Sequence, residues 1–365
     1  MSVLIVSPED WQAHNVSKHH YARTLASSGR DVLFLNPPQD RSGKLIEVTE
    51  VEPRIFSINA GHLARGLRFF PGSIRRKIEG RFLNRLEDLC GQEIDTIWLF
   101  ENSRFFDLKE QTTRLRIYHQ VDLNQRFNPH TAANTSDIIF CTSELIASSL
   151  RQLTATPVFV IDHGVTSSNF SFSETEALGP GINAVYAGNL NRDWIDVEIL
   201  KEAVSTLPNV RFTFVGNYNS SAPLYRNLSG YQNVCWLGQV AYDRIPGILA
   251  ASDVLLLAYR SDFRQDASNP HILMEFLASG NTVVATWTEH YKFNLNLLEM
   301  VNNASEFVPR LSKVVENLDH YNSGQLSKLR RSFAGSNLYE RQLEKVFKLL
   351  NERNLSIPQC AERIT

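Results

Sequence analysis

The sequence predicts an α/β protein made of two doubly wound domains in series, and three observations carry that expectation. Short apolar runs rich in β-branched residues alternate with longer helix-period stretches, the pattern of repeated βα units. Those runs are apolar at nearly every position, as strands of a parallel sheet covered on both faces are. A length of 365 residues exceeds one comfortable core and suits two of ordinary size.

In the first half the candidate strands are VLIVS (3–7), DVLFLN (31–36), TIWLF (96–100), RIYHQV (116–121), DIIFCT (137–142) and PVFVID (157–162). After Gly164 the chain reads VTSSNFSFSETEALGPGIN, a Ser-, Gly- and Thr-rich stretch that suits a linker. A second series follows: NAVYAGN (183–189), RFTFVGN (211–217), VCWLGQ (234–239), DVLLLAY (253–259) and TVVAT (282–286). From Leu326 to Asn354, leucines and aromatics recur at helical period among Lys, Arg and Glu, so one or two amphipathic helices should cover existing surface.

A hydrophobic fraction of 43%, a charged fraction of 21% and a net charge of −2 describe a folded protein with no global attraction to nucleic acid. Cys90, Cys141, Cys235 and Cys360 are scattered, with no CxxC and no Cys/His cluster, so neither a disulfide framework nor a structural metal is expected. The start, MSVLIVSPED, lacks the basic flank of a signal peptide, and no apolar run approaches the roughly 20 residues of a membrane span. The expected location is the cytoplasm, free or held at a membrane surface.

Chemistry concentrates in the second half. Gly188 ends a strand and lets backbone approach a ligand, while Arg192 offers a planar fork of donors to a phosphate. In SNPHILMEFLASGNTVVAT (268–286), Ser268 and Asn269 suit a helix cap and Pro270 a first turn, whose free amides attract anions. Glu275, one turn in, either complements the helix dipole or accepts both hydroxyls of a ribose. The residue types alone leave those two open.

The order of these stretches resembles the nucleotide-sugar-binding domain of GT-B glycosyltransferases, and more narrowly the bacterial family 4 type that builds cell-surface polysaccharides. The family's Asn-Pro-X-Lys-X-X-Glu stretch, with an apolar pair, a small residue and glycine after it, matches Asn269, Pro270, Glu275, Phe276, Leu277, Ala278 and Gly280. DHGV (162–165), SPEDW and SKHHYARTLASSGRDVLFLNPP extend the resemblance over nearly the whole chain. It implies two Rossmann-like domains facing a cleft, residues 1–166 for the acceptor and 180–336 for the donor, with a last helix near 337–355 returning to the first.

By the same resemblance Glu275 would hold the ribose, and Asn269, Pro270 and His271 the diphosphate. Arg192 would neutralise the leaving phosphate, and Gly238, Gln239 and Val240 would line the base pocket, with Gly188, Asn189 and Gly216 in the same donor site. No metal and no cofactor are implied; the nucleotide-sugar is a substrate. The sequence departs from the pattern at Ile272, where the family has lysine, and at Ala267, where it often has a second acid beside Asp266 here. His271, Arg192, Arg260 and Arg264 are the groups left to offset leaving-group charge.

On the acceptor side Asp10, His14, His119 and Asp122 lie just beyond or at expected strand ends, where a base could take the acceptor's proton in an inverting transfer. Asp10, with Trp11, and Asp122 are favoured by the resemblance, although an aspartate after a strand is also a common turn former. Residues 61–86 interleave Arg65, Arg68, Arg75, Arg76, Lys77, Arg81 and Arg85 with apolar residues that include Phe69 and Phe70. This pattern fits a membrane-surface helix, or a solvated helix packed on its own sheet, and the Phe69–Phe70 pair before Pro71 favours the membrane.

The expected activity is glycosyl transfer from a nucleotide-sugar to a lipid-linked polysaccharide precursor. The alternatives are a nucleotide-sugar epimerase of the same fold and a catalytically silent partner protein, the latter suggested by Ile272.

Overall fold

The computed structural model describes residues 1–13, 16–38, 46–123, 125, 127–171, 178–263 and 269–358. The chain divides into two units: Met1–Asp162 with Tyr339–Thr365, and His163–Leu338.

In unit 1 the strands are β1 (Ser2–Val6), β2 (Asp31–Leu35), β3 (Glu47–Glu52), β4 (Ile55–Asn59), β5 (Ile94–Leu99), β6 (Leu115–Gln120), β7 (Ile138–Cys141) and β8 (Val158–Val160). They form one sheet in the order β3-β4-β2-β1-β5-β6-β7-β8, parallel throughout except for β3 against β4. Alternation along β1 shows why its residues are apolar without exception from Val3 onward. Leu4 and Val6 pack with Leu33, Leu35 and Ile97 on one face, and Val3 and Ile5 pack with Val32, Phe34 and Trp98 on the other. Strands β3 and β4 are absent from the sequence reading. Glu47, Glu50 and Glu52 give β3 a polar look, which suits an antiparallel edge strand guarded by charge.

The helices of this unit are α1 (Ser17–Ser27), α2 (Gly72–Cys90), α3 (Pro129–Asn134) and α4 (Glu144–Arg151). Ser143 caps α4 by accepting from the Ile146 amide.

Unit 2 contains β9 (Ile182–Ala187), β10 (Val210–Val215), β11 (Val234–Gly238), β12 (Val254–Leu257), β13 (Thr282–Thr286) and β14 (Glu299–Val301). Its helices are α5 (Val197–Thr206), α6 (Pro223–Leu228), α7 (Ile245–Ala250), α8 (Ile272–Ser279), α9 (Phe307–Glu316), α10 (Leu318–Tyr321) and α11 (Gly324–Gly335). The sheet is wholly parallel in the order β11-β10-β9-β12-β13-β14. Strand order reverses between β9 and β12, and ligands of such sheets bind outside the carboxyl ends at that reversal.

A final helix, α12 (Tyr339–Asn351), belongs to unit 1. Tyr339, Leu343, Val346 and Leu350 form its buried stripe and join the cluster of Tyr21, Leu25 and Phe34. His20 stacks on Tyr339 with ring centres 4.6 Å apart, and Arg30 donates to the Ile357 carbonyl at 3.1 Å while lying 4.4 Å from the Phe347 ring centre. Among the described residues no helix is long and apolar enough to cross a membrane.

Candidate functional site

Three adjacent strands of unit 2 end in glycines with positive φ: Gly188 after β9 (147°), Gly216 after β10 (136°) and Gly238 at the end of β11 (68°). They are stitched together, Gly188 N donating to Val215 O at 2.9 Å and Gly216 N to Gly238 O at 2.8 Å. At Gly216 the requirement is absolute, since a Cβ there would stand 1.7 Å from the Gly188 carbonyl oxygen. The result is bare backbone at the carboxyl edge, where a flat or phosphorylated ligand can approach. Asn189 lies exposed next to this seam and accepts from the Asn191 amide at 3.1 Å. Gln239 is exposed, and Val240 packs on the cluster that contains Met274 and Leu277 of α8.

Helix α8 starts later than its sequence suggests. His271 is the N-cap and makes no side-chain cap bond, Pro270 precedes it, and the Leu273 and Met274 amides bond the Pro270 and His271 carbonyls. Asn269 is therefore not the cap, because a turn intervenes before the helix. Ser268, Asp266, Ala267 and Arg264 lie outside the described residues. By contrast, α5 is capped by Asp196 accepting from the Ile199 amide. His163 stands at the mouth of α8, its ring 6.1 Å from that of His271.

Glu275 keeps some solvent exposure, yet its carboxyl sits deep in the protein, where desolvation raises its pKa to about 7. The Tyr242 hydroxyl, 3.4 Å from Oε1, favours the ionised form and offsets part of that rise. Tyr242 itself follows β11 and is pushed well above its ordinary value by burial and by Glu275, with Thr166 and Asn169 bonding its oxygen. Sequence reasoning missed Tyr242, since only packing brings it beside α8. Ile272 is half-buried.

Arg192 is exposed, 4.8 Å from the centre of the Trp194 ring, and lines a cavity of about 730 Å³ together with Arg260 and Asp196. That cavity joins the loops after β9 and β12, but Glu275 and His271 do not line it. Arg260 is already engaged by Asp262.

In unit 1 the structure separates the acceptor-side candidates. Asp10 makes a turn, its Oδ1 accepting from the Gln12 amide at 2.9 Å and its carbonyl lying 3.1 Å from His19 Nε2. Asp122 is exposed. His119 is a core residue, buried among Tyr21, Trp98, Phe100 and Phe140, because it points into the sheet's face rather than past the strand end. His14 lies outside the described residues.

Two of the basic residues expected to face a membrane do not. Arg75 is buried, pairing with Asp107 at 3.0 Å and lying 4.3 Å from the Phe106 ring centre. Arg76 is half-buried between Asp107 at 2.7 Å and Glu110 at 2.8 Å. Burial without a counter-ion is too costly for a guanidinium, so both are held by carboxylates. Arg68, Phe69, Phe70 and Lys77 remain exposed, as do Arg65, Ile74 and Arg81.

Among the described residues no cluster of three or more His, Cys, Asp or Glu is placed to hold a metal ion. A family model for glycosyl transferases group 1 matches residues 181–317. The Bacillus subtilis (strain 168) protein TuaH, assigned by name to teichuronic acid biosynthesis as a glycosyltransferase, is 26% identical over 160 residues, covering 41% of this chain and 40% of its own length. Similar solved structures include sucrose-phosphate synthase from Thermosynechococcus elongatus, with TM-score 0.73 and 15% identity over 96% of this chain and 99% of that one. Anabaena HepE in complex with UDP-glucose follows with TM-score 0.71 and 14% identity over 96% and 100%. WaaG, a glycosyltransferase of lipopolysaccharide biosynthesis, has TM-score 0.64 and 15% identity over 94% and 98%. The chain therefore has the GT-B fold, and residues 181–317 of its second unit match the family model for glycosyl transferases group 1.

Proposed function

We propose that this chain transfers a glycosyl residue from a nucleotide-activated sugar to a hydroxyl of a glycan precursor carried on a lipid at the cytoplasmic face of a membrane. The observation that carries the reading is Glu275, a recessed carboxyl in the first turn of α8, in the same domain as the Gly188–Gly216–Gly238 seam. In the reaction the acceptor oxygen bonds to the anomeric carbon, the bond from that carbon to the diphosphate breaks, and the acceptor proton leaves to a base or to the departing phosphate. The positive end of α8, with His271 and Arg192, offsets the developing charge without a metal ion.

Calorimetry against UDP-, GDP-, TDP- and ADP-glucose tests the donor site. One nucleotide should bind, and Glu275→Ala should weaken it at least about tenfold, the loss of a pair of charge-assisted hydrogen bonds. Only the carboxylate accepts from both ribose hydroxyls, so wild-type affinity should rise about tenfold from pH 6 to pH 8, as Glu275 ionises near 7. A flat pH profile, or an unchanged Kd in the variant, would remove Glu275 from the site. Ile272 supports a second reading as a silent donor-binding partner, which donor affinity with no turnover on any membrane extract would favour.

Membrane contact rests on the exposed group of Arg68, Phe69, Phe70 and Lys77. Phe69 is 77% exposed, and Ile74 extends the apolar edge at 48%. Vesicles containing anionic lipid should sediment the protein, and Arg68→Glu and Lys77→Glu should each weaken this about fivefold or more, on the order of 1 kcal/mol per basic residue. Equal binding to neutral and anionic vesicles would contradict it.

A further inference from the structure

Residues 287–298 connect β13 to β14 in unit 2, on the same edge of the wholly parallel sheet as Gly188, Gly216 and Gly238. Successive turns hold the segment: the Tyr291 amide donates to the Thr288 carbonyl at 3.2 Å, Asn294 to Tyr291 at 2.8 Å and Leu297 to Asn294 at 3.0 Å. Its two feet are sunk in the core, where Tyr291, Leu297 and Leu298 join the cluster that contains Met274 and Leu277 of α8. Between the feet the tip points into solvent, with Phe293 87% exposed and Leu295 57%. Phe293 is the most exposed large apolar side chain among the described residues. The Lys292 ammonium lies 5.1 Å from the Phe293 ring centre and pairs with Glu289, which also accepts from the Trp287 indole at 3.1 Å.

We infer that this tip is a membrane contact of unit 2, in which Phe293 and Leu295 enter the boundary between lipid headgroups and acyl chains while Lys292 and Trp287 stay at headgroup level. The inference rests on the reading of a lipid-carried acceptor and gives unit 2 a surface of its own, separate from that at Arg68, Phe69 and Phe70. Three features select lipid as the occupant. The two side chains together present roughly 300 Å² of apolar surface, well short of the about 800 Å² that each partner of a stable protein interface gives up. A bilayer sets no such minimum, because each apolar side chain partitions on its own. The tip also repeats the chemistry of the unit 1 surface, where Arg68 lies 4.7 Å from the centre of the exposed Phe69 ring and an exposed aliphatic residue, Ile74, is near in the chain. Finally, an indole and an ammonium at the base of an apolar tip are the groups that settle at headgroup level. Binding through this edge of the sheet brings the glycine seam towards the surface that carries the acceptor.

The test uses the full-length protein with para-fluorophenylalanine in place of Phe293 and vesicles of equal parts phosphatidylcholine and phosphatidylglycerol, some of the lipid carrying a nitroxide on its acyl chain. The fluorine signal should broaden on vesicle binding. Phe293→Ser should weaken sedimentation with the vesicles at least about tenfold, and Leu295→Ser about threefold or more, as the loss of one partitioning side chain each. Both losses should persist at high salt, whereas the loss from Arg68→Glu shrinks as its charge is screened. Because both side chains stand in solvent, the melting temperature and nucleotide-sugar binding stay unchanged. Unchanged sedimentation of Phe293→Ser, a fluorine signal that stays sharp on bound vesicles, or a concentration-dependent dimer of the wild-type chain that Phe293→Ser dissolves would overturn the inference. Vesicle binding lost in Arg68→Glu alone would likewise overturn it while the unit 1 contact stands, and nucleotide-sugar binding retained in every case keeps the donor reading.

Discussion

Gly216→Ala should cost more than about 3 kcal/mol of unit 2 stability and abolish nucleotide-sugar binding. Two penalties combine. A φ of 136° is essentially glycine-only territory, which costs roughly 1 to 3 kcal/mol for a residue with a side chain. The new methyl would also stand 1.7 Å from a backbone oxygen, that of Gly188, which cannot rotate away as a side chain could. Relief requires parting β9 from β10 at the point where Gly188 N bonds Val215 O and Gly216 N bonds Gly238 O. Gly29→Ala is the control: its φ is also positive, at 86°, but nothing lies within 4 Å of a Cβ there, so about 1 to 2 kcal/mol is expected. Thermal unfolding of both variants would decide the matter, and equal melting temperatures would show that the seam is looser than described.

Arg330→Met should destabilise unit 2 by about 3 to 5 kcal/mol, because each buried carbonyl left without a donor costs roughly 1 to 3 kcal/mol. The guanidinium is 2% exposed and donates to the carbonyls of Gly280 (3.0 Å), Tyr321 (2.9 Å) and Leu297 (3.3 Å) and to the Thr282 hydroxyl (3.3 Å). It thereby ties α11 to the end of α8, where Gly280 turns the chain into β13 with φ of 87°. Desolvation lowers its pKa to about 10, with Glu299 opposing the drop, so it stays charged at neutral pH. Its folded value lies below its unfolded one, so protonation is less favourable in the fold. The penalty applies throughout the neutral range and is relieved only above pH 10. Arg330→Lys should recover little, because one ammonium cannot span carbonyls on three elements. Urea denaturation at constant m checks both variants; a loss under about 1 kcal/mol for Arg330→Met would mean the carbonyls find other donors.

These two residues differ in how visible they were beforehand. Gly216 could be placed at a strand end from the apolar run before it. Arg330 looked like one more cation on an amphipathic helix. The same split divides the α2 region, where the charge run is legible but its pattern points Arg75 and Arg76 outward. Asp107, which neutralises both, lies 32 and 31 residues away and carries no local mark of the pairing. His119 had the position of a catalytic histidine in the sequence and the surroundings of a core residue in the fold.

What the sequence by itself determined was the alternation of strands and helices, the largely parallel character of both sheets and, to within a turn, the position of the Glu275 helix. Each of these follows from a periodicity or a turn chemistry read within a few residues. What only the tertiary structure decided was the approach of Gly216 to Gly188, the meeting of Tyr242 with Glu275 and the antiparallel edge at β3. Those depend on distances between residues far apart in the chain, set by how helices pack on a twisted sheet, and no local pattern of residue types encodes them.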